Sequence, residues 1–95
     1  MDRRLKRANK ILGTDYKGWY EVSEHEGLTE DFIREFQDKV DWDCISECQQ
    51  LSEDFIREFK DKVDWYLISK NQYLSEDFIR EFQYRVNLSI ISEYQ

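Results

Sequence analysis

Hydrophobic and polar positions recur along this chain with a fixed period. The nine-residue run from Leu28 to Phe36 returns from Leu51 to Phe59 and again from Leu74 to Phe82, a spacing of 23 residues. Residues 28–50 match 51–73 at 16 of 23 positions, and 51–73 match 74–95 at 13 of 22, which chance does not produce. One period before Trp42, Ile45, Ser46 and Leu51 stand Trp19, Val22, Ser23 and Leu28, so a degenerate half repeat precedes the first full one. The chain therefore divides into a basic N-terminal helix expected at 1–15, a half repeat at 16–27, and repeats 1, 2 and 3 at 28–50, 51–73 and 74–95, within a single domain.

Each unit predicts two elements. In repeat 2, Ser52 can cap a helix whose first turn carries Glu53 and Asp54 beside the positive end of the helix dipole, and Leu51 and Ile56 form a hydrophobic staple. Phe55, Ile56, Phe59 and Val63 make one apolar stripe, while Glu53 with Arg57, Arg57 with Asp61 and Glu58 with Lys62 stand at the spacing of helical ion pairs. The following segment, Val63 to Ser69, alternates like a short strand at Val63, Trp65 and Leu67. A strand there would make the units leucine-rich-repeat-like β/α turns. Cap chemistry favours a second helix of about two turns. Asp41, Asp64 and Asn87 stand at the cap position of successive units, each flanked by a Val and an Ile at staple spacing. The expected fold is all-α: tandem short helical hairpins, none able to bury its own apolar stripe, stacked as a small α-solenoid.

At 95 residues the chain has room for one thin core, so stacking or a partner subunit must supply stability. No apolar run approaches the ~20 residues of a membrane span, and no signal-like segment follows the N-terminus. An intracellular, non-secreted protein is expected. Cys44 and Cys48, four apart on one helix face, are too widely spaced for an internal disulfide and are expected as free thiols.

Charge is distributed unevenly. Residues 1–10 carry a net +4 and the remainder −11, giving −7 overall. Nucleic acid is thus not an expected partner of the body, whose charge opposes that of phosphate. Arg3, Arg4, Lys6, Arg7 and Lys10 could still touch phosphate, although a solvated helix face over Leu5, Ala8, Ile11 and Leu12 is the preferred reading.

The run Asp64, Trp65, Ile68-Ser69, Asn71-Gln72 and Leu74 to Ile79 resembles the W-x-x-I-S and L-S/T-x-x-F-I repeats found in many copies in proteins of large DNA viruses infecting amoebae. The resemblance covers about four fifths of the chain. It implies a host-cell interior, the cytoplasm or the virion, with a host or viral protein as possible partner. It carries over no catalytic residue.

No residue calls for a chemical role. His25 falls one period before Cys48, and zinc there would need an unorthodox ligand set completed by Glu24, Glu26 or Glu47, so no metal is expected. Ser23, Ser46, Ser69 and Ser92 share one position, which suits a small packing residue better than a nucleophile paired with His25. Trp19, Trp42 and Trp65 also share a position, with Leu88 in repeat 3, and are expected in the core. The carboxylates explain themselves as caps and ion pairs. Gly13, Gly18 and Gly27 read as helix ends and turns.

The reading is a non-enzymatic interaction or structural module without cofactor. Positions that vary between units are those free to specify a partner. Repeat 3 is unusually apolar for a terminal unit, so a homo-oligomer, a dimer through the C-terminal repeat, is expected. The candidate partner-binding residues are Tyr66, Lys70, Tyr73, Tyr84, Leu88, Ile90, Ile91 and Tyr94. The rival is an adaptor that binds nucleic acid or a membrane surface through the basic N-terminus.

Overall fold

The computed structural model describes residues 2–94, the side chain of Tyr94 excepted. Its described residues form eight helices: α1 (Arg3–Leu12), α2 (Trp19–Ser23), α3 (Glu30–Glu35), α4 (Trp42–Cys48), α5 (Glu53–Glu58), α6 (Trp65–Asn71), α7 (Glu76–Glu81) and α8 (Leu88–Tyr94). No strand occurs among them, so the second element of each unit is a helix and the β/α alternative falls away. Repeats 1, 2 and 3 are the hairpins α3–α4, α5–α6 and α7–α8, and α2 is the surviving second helix of the half repeat.

Side-chain caps start these short helices. The hydroxyls of Thr29, Ser52 and Ser75 accept from the amides of Phe32, Phe55 and Phe78 at 3.0, 3.1 and 3.2 Å. Asp41, Asp64 and Asn87 accept from the amides of Cys44, Leu67 and Ile90 at 3.2, 3.0 and 3.0 Å. Each cap contributes about 1 kcal/mol, which matters in helices too short to persist alone.

The first helix of each unit is shorter than its apolar stripe suggests. α5 ends at Glu58, and Phe59 closes it before a turn in which Lys62 and Val63 donate their amides to the Phe59 carbonyl. Asp61 and Lys62 are therefore off the helix, and the expected pairs of Arg57 with Asp61 and Glu58 with Lys62 give way to others. Arg57 bonds Asp54 and Glu81, Glu58 bonds Arg34, and Glu53 reaches the cap of the next unit. The charges of the first helix link units as well as bracing one at i,i+3.

The second helices α2, α4, α6 and α8 pack on one another in series, and the molecule measures 42 × 22 × 16 Å. Val22, Ile33, Ile45, Phe55, Ile56, Ile68 and Phe78 are fully buried between the layers. Each Trp leans on the Phe pair of the following unit: Trp42 lies 5.0 Å from Phe59 and Trp65 lies 5.0 Å from Phe82 between ring centroids, and Trp19 lies 5.4 Å from Phe36. The Trp side chains are only partly buried, packed along the core's rim, so the core expectation holds for their contacts and not for full enclosure. Their indole N–H groups remain paired, Trp42 to the Gln37 carbonyl and Trp65 to the Lys60 carbonyl.

At the other end α1 covers repeat 1. Asp2 caps it, and Gly13 ends it at φ 70°, a left-handed conformation in which a side chain would be strained. Arg4 donates to Asp38 and to the Glu35 carbonyl, both at 2.7 Å, with its guanidinium 5.6 Å from the Phe36 ring centroid, while Arg7 bonds Glu35. Asn9 organises the chain from α1 to α2 by bonding the backbone N–H and carbonyl of Tyr16.

Candidate functional site: the open end of the stack

The surface that distinguishes one end of the molecule follows from how one repeat holds the next. Four polar links recur. Arg34 bonds Glu58 and Arg57 bonds Glu81, each at 2.9 Å, with the guanidinium 5.3 Å from the ring centroid of Phe55 or Phe78. Glu30 accepts from the backbone N–H and hydroxyl of Ser52 at 2.7 and 3.0 Å, and Glu53 does so with Ser75 at 2.6 and 2.9 Å. Thus the cap residue of each new helix is itself capped by the preceding unit.

The third link is buried. Ser23, Ser46 and Ser69 donate to the carbonyls of Trp19, Trp42 and Trp65 and accept from the backbone N–H of Asp41, Asp64 and Asn87 at 2.8, 3.0 and 2.9 Å. Packing is thus only half of what this serine does. The fourth link is an amide: Gln49 donates to the carbonyls of Ser23 and His25 and accepts from Leu28 N–H, and Gln72 repeats this with Ser46, Gln49 and Leu51. Burial of both glutamines at 3% exposure makes these bonds obligatory, since an unpaired amide there would cost a few kcal/mol.

Glu, Arg, Trp and Ser therefore form the face each repeat turns to its successor. In repeat 3 the same four positions are Glu76, Arg80, Leu88 and Ser92, and all four are exposed. The Arg80 side chain is 77% exposed, against 37% and 36% for Arg34 and Arg57, and its ion pair with Asp77 is stretched to 3.7 Å. Apolar positions follow suit. Ile33 and Ile56 are fully buried but Ile79 is not, and Phe82 and Ile91 are partly open where Phe36, Phe59, Ile45 and Ile68 are closed. Among the described residues the last face of the stack is laid open, apolar at its centre with two charges and a hydroxyl around it.

Of the expected partner-binding residues, Leu88, Ile90 and Ile91 belong to α8 in this terminal unit, Leu88 exposed and the two isoleucines half-buried. Tyr73 and Tyr84 are nearly bare at 89% and 95% exposure but flank opposite ends of α7, so they make no common patch. Tyr66 and Lys70 are exposed on α6, one layer back. The side chain of Tyr94 lies outside the described residues. Glu76, Arg80 and Ser92 are not among those candidates, because they recur in every full repeat and the variable positions are the ones that sequence reasoning singles out. Their signal is the exact 23-residue recurrence of Glu, Arg and Ser.

Elsewhere the polar groups are engaged in structural pairs. His25 Nδ1 shares a 2.8 Å hydrogen bond with the Tyr16 hydroxyl, and Ser23 has both its bonds committed to the backbone. Cys44 is buried and Cys48 exposed, both as free thiols. Burial, helped by the Asp41 carboxylate, pushes the Cys44 thiol up to about 11. Desolvation and the carboxylates of Glu47 and Glu24 push Cys48 up as well. Neither is an activated nucleophile. Among the described residues, no group of three or more His, Cys, Asp or Glu is placed to hold a metal ion. A groove of about 430 Å³ lies beside α1, lined by Asp2, Leu5, Tyr16, Lys17, Gly18 and Trp19, but its carboxylate holds the Trp19 indole N–H at 2.9 Å.

The basic N-terminus is partly committed. Arg4 and Arg7 take on repeat 1 the part that Arg34 and Arg57 take on later units, which holds the Glu35 and Asp38 carboxyls below their usual range. Arg3, Lys6 and Lys10 remain exposed. No helix among the described residues is long and apolar enough to cross a membrane.

Fold and ladder together define the class of protein: an all-α solenoid of short helical hairpins joined by repeated polar links. Comparison with protein-family models, with characterised proteins and with solved structures returns no match.

Proposed function

We propose that this chain is a non-enzymatic protein–protein interaction module that docks through the open end of repeat 3, and that it dimerises there when no other partner is present. One observation carries the reading: Glu76, Arg80, Leu88 and Ser92 are exposed at positions that bind the following repeat in repeats 1 and 2. Covering Ile79, Phe82, Leu88 and Ile91 removes apolar surface from water, at about 25 cal/mol per Å². The mechanism is surface complementarity without bond-making chemistry. In the setting the viral resemblance implies, the partner is a viral or host protein of the infected cell. The adaptor alternative is left chiefly with Arg3, Lys6 and Lys10, since Arg4 and Arg7 are engaged in ion pairs with repeat 1.

Light scattering over a concentration series tests this, on the full chain and on a variant with Leu88→Asp and Ile91→Asp. A dimer that becomes a folded monomer in the variant supports the proposal. A dimer unchanged by the substitutions places the interface elsewhere and contradicts it.

A further inference from the structure

Stacking in this molecule has a direction. The face a repeat turns forward carries a Glu that seeks a cap N–H and hydroxyl, an Arg that seeks a carboxylate, and a serine hydroxyl that seeks a backbone N–H. The face it turns backward carries the Ser or Thr cap, the Glu and the Asp or Asn cap that satisfy them. The two faces complement each other and neither complements itself.

We infer that the open end of α7–α8 is a receptor for one more unit of the same 23-residue pattern, supplied by another polypeptide and seated as repeat 3 sits on repeat 2. The inference rests on the reading that this end is the docking surface, and adds the chemistry of the occupant. Arg80 takes the carboxylate that stands where Glu58 and Glu81 do. Glu76 takes the N–H and hydroxyl of a Ser or Thr cap, as Glu30 takes those of Ser52. Ser92 accepts the backbone N–H of the next Asp or Asn cap, as Ser69 accepts that of Asn87. The apolar centre takes a Phe pair, as Trp65 takes Phe78 and Phe82.

A second copy of this chain cannot meet these demands. Its backward-facing carboxylates Glu58 and Glu81 are held by Arg34 and Arg57, and Glu35 is held by Arg7 of α1. Nor does α1 suit the open end, because the charges it exposes are Arg3, Lys6, Arg7 and Lys10 while Arg80 needs an acid. Self-association therefore covers only the apolar centre and yields to a partner that also satisfies the polar rim.

The probe is a fluorescein-labelled synthetic peptide with the sequence of residues 51–73, titrated onto the full-length protein and followed by anisotropy. Saturable binding that dissociates the dimer is expected. Arg80→Glu should weaken binding on the order of tenfold, turning an attraction into a repulsion at a partly shielded site. A peptide carrying Glu58→Arg should restore binding to that variant and bind the wild-type protein poorly. Since a short hairpin must order on docking, a second measurement adds one residue after Gln95 to complete the 23-residue period, as Tyr73 completes repeat 2, and then appends the same 23-residue sequence. The extended chain should melt higher, and Arg80→Ala should then cost it what Arg57→Ala costs. Absence of both peptide binding and a raised melting temperature overturns the inference, as does binding indifferent to charge reversal. A dimer lost with Leu88→Asp and Ile91→Asp alongside such a failure keeps the docking surface and removes only this occupant.

Discussion

Arg57 spans two repeats with one side chain. Its Nε bonds Glu81 at 2.9 Å, its Nη1 bonds Asp54 at 2.8 Å, and its guanidinium lies 5.3 Å from the Phe78 ring centroid. An isolated exposed ion pair contributes little, but here the ring contact and the alkyl stem sit on the same surface. Arg57→Ala is expected to lower the urea midpoint clearly. Arg80→Ala, at the equivalent position of the open end, should leave the midpoint nearly unchanged. Equal losses would remove the ladder from the account.

The buried serines predict a sharper contrast. Ser46→Ala removes the acceptor of Asp64 N–H and leaves a donor unpaired at a site with no exposure. The expected loss is about 1–3 kcal/mol. Ser92→Ala should be nearly silent in the monomer. Thermal melts of the two variants check this, and an equally silent Ser46→Ala would show that the hydroxyl only fills space.

Acid should loosen the N-terminal cap first. Arg7 and Arg4 hold the Glu35 and Asp38 carboxyls low in the folded chain, whereas unfolded carboxyls titrate near about 4. For a depressed folded pKa, the stabilisation is present above the unfolded value and is lost as pH falls through the folded one. Protection of the α1 amides, taken relative to the intrinsic exchange rate at each pH, should therefore fall as pH drops from about 6 toward about 3, and Glu35→Gln should flatten the profile. Equal pH dependence in α1 and α6 would contradict this.

Thiol chemistry separates the two cysteines. A short iodoacetamide pulse near neutral pH should label exposed Cys48 well before buried Cys44, whose thiol is held up at about 11. Mass spectrometry of the peptides gives the order. Preferential labelling of Cys44 would mean that α4 opens in solution.

Much of the fold was legible because caps are local. Ser52, Asp64 and Asn87 announce helix starts within three residues of themselves, and the period multiplies each signal. The ends of the first helices were not legible, since the turn after Phe59 is fixed by packing against a neighbouring layer. Glu53 and Arg57 stand at perfect helical pairing distance, yet their partners are Ser75 and Glu81 in the next unit. Gln49 and Gln72 gave no hydropathic sign that a polar amide would be buried. The docking face was visible in outline through Leu88, Ile90 and Ile91, but its polar rim was hidden in the very residues that make the repeat a repeat.

The most direct measurement is hydrogen exchange of the full chain across a dilution series. The account predicts that protection of α7 and α8 rises with protein concentration while that of α1, α3 and α5 stays constant. Concentration-dependent protection confined to α1, or none at all beside an unchanged oligomer mass, would contradict an interface at the open end of repeat 3.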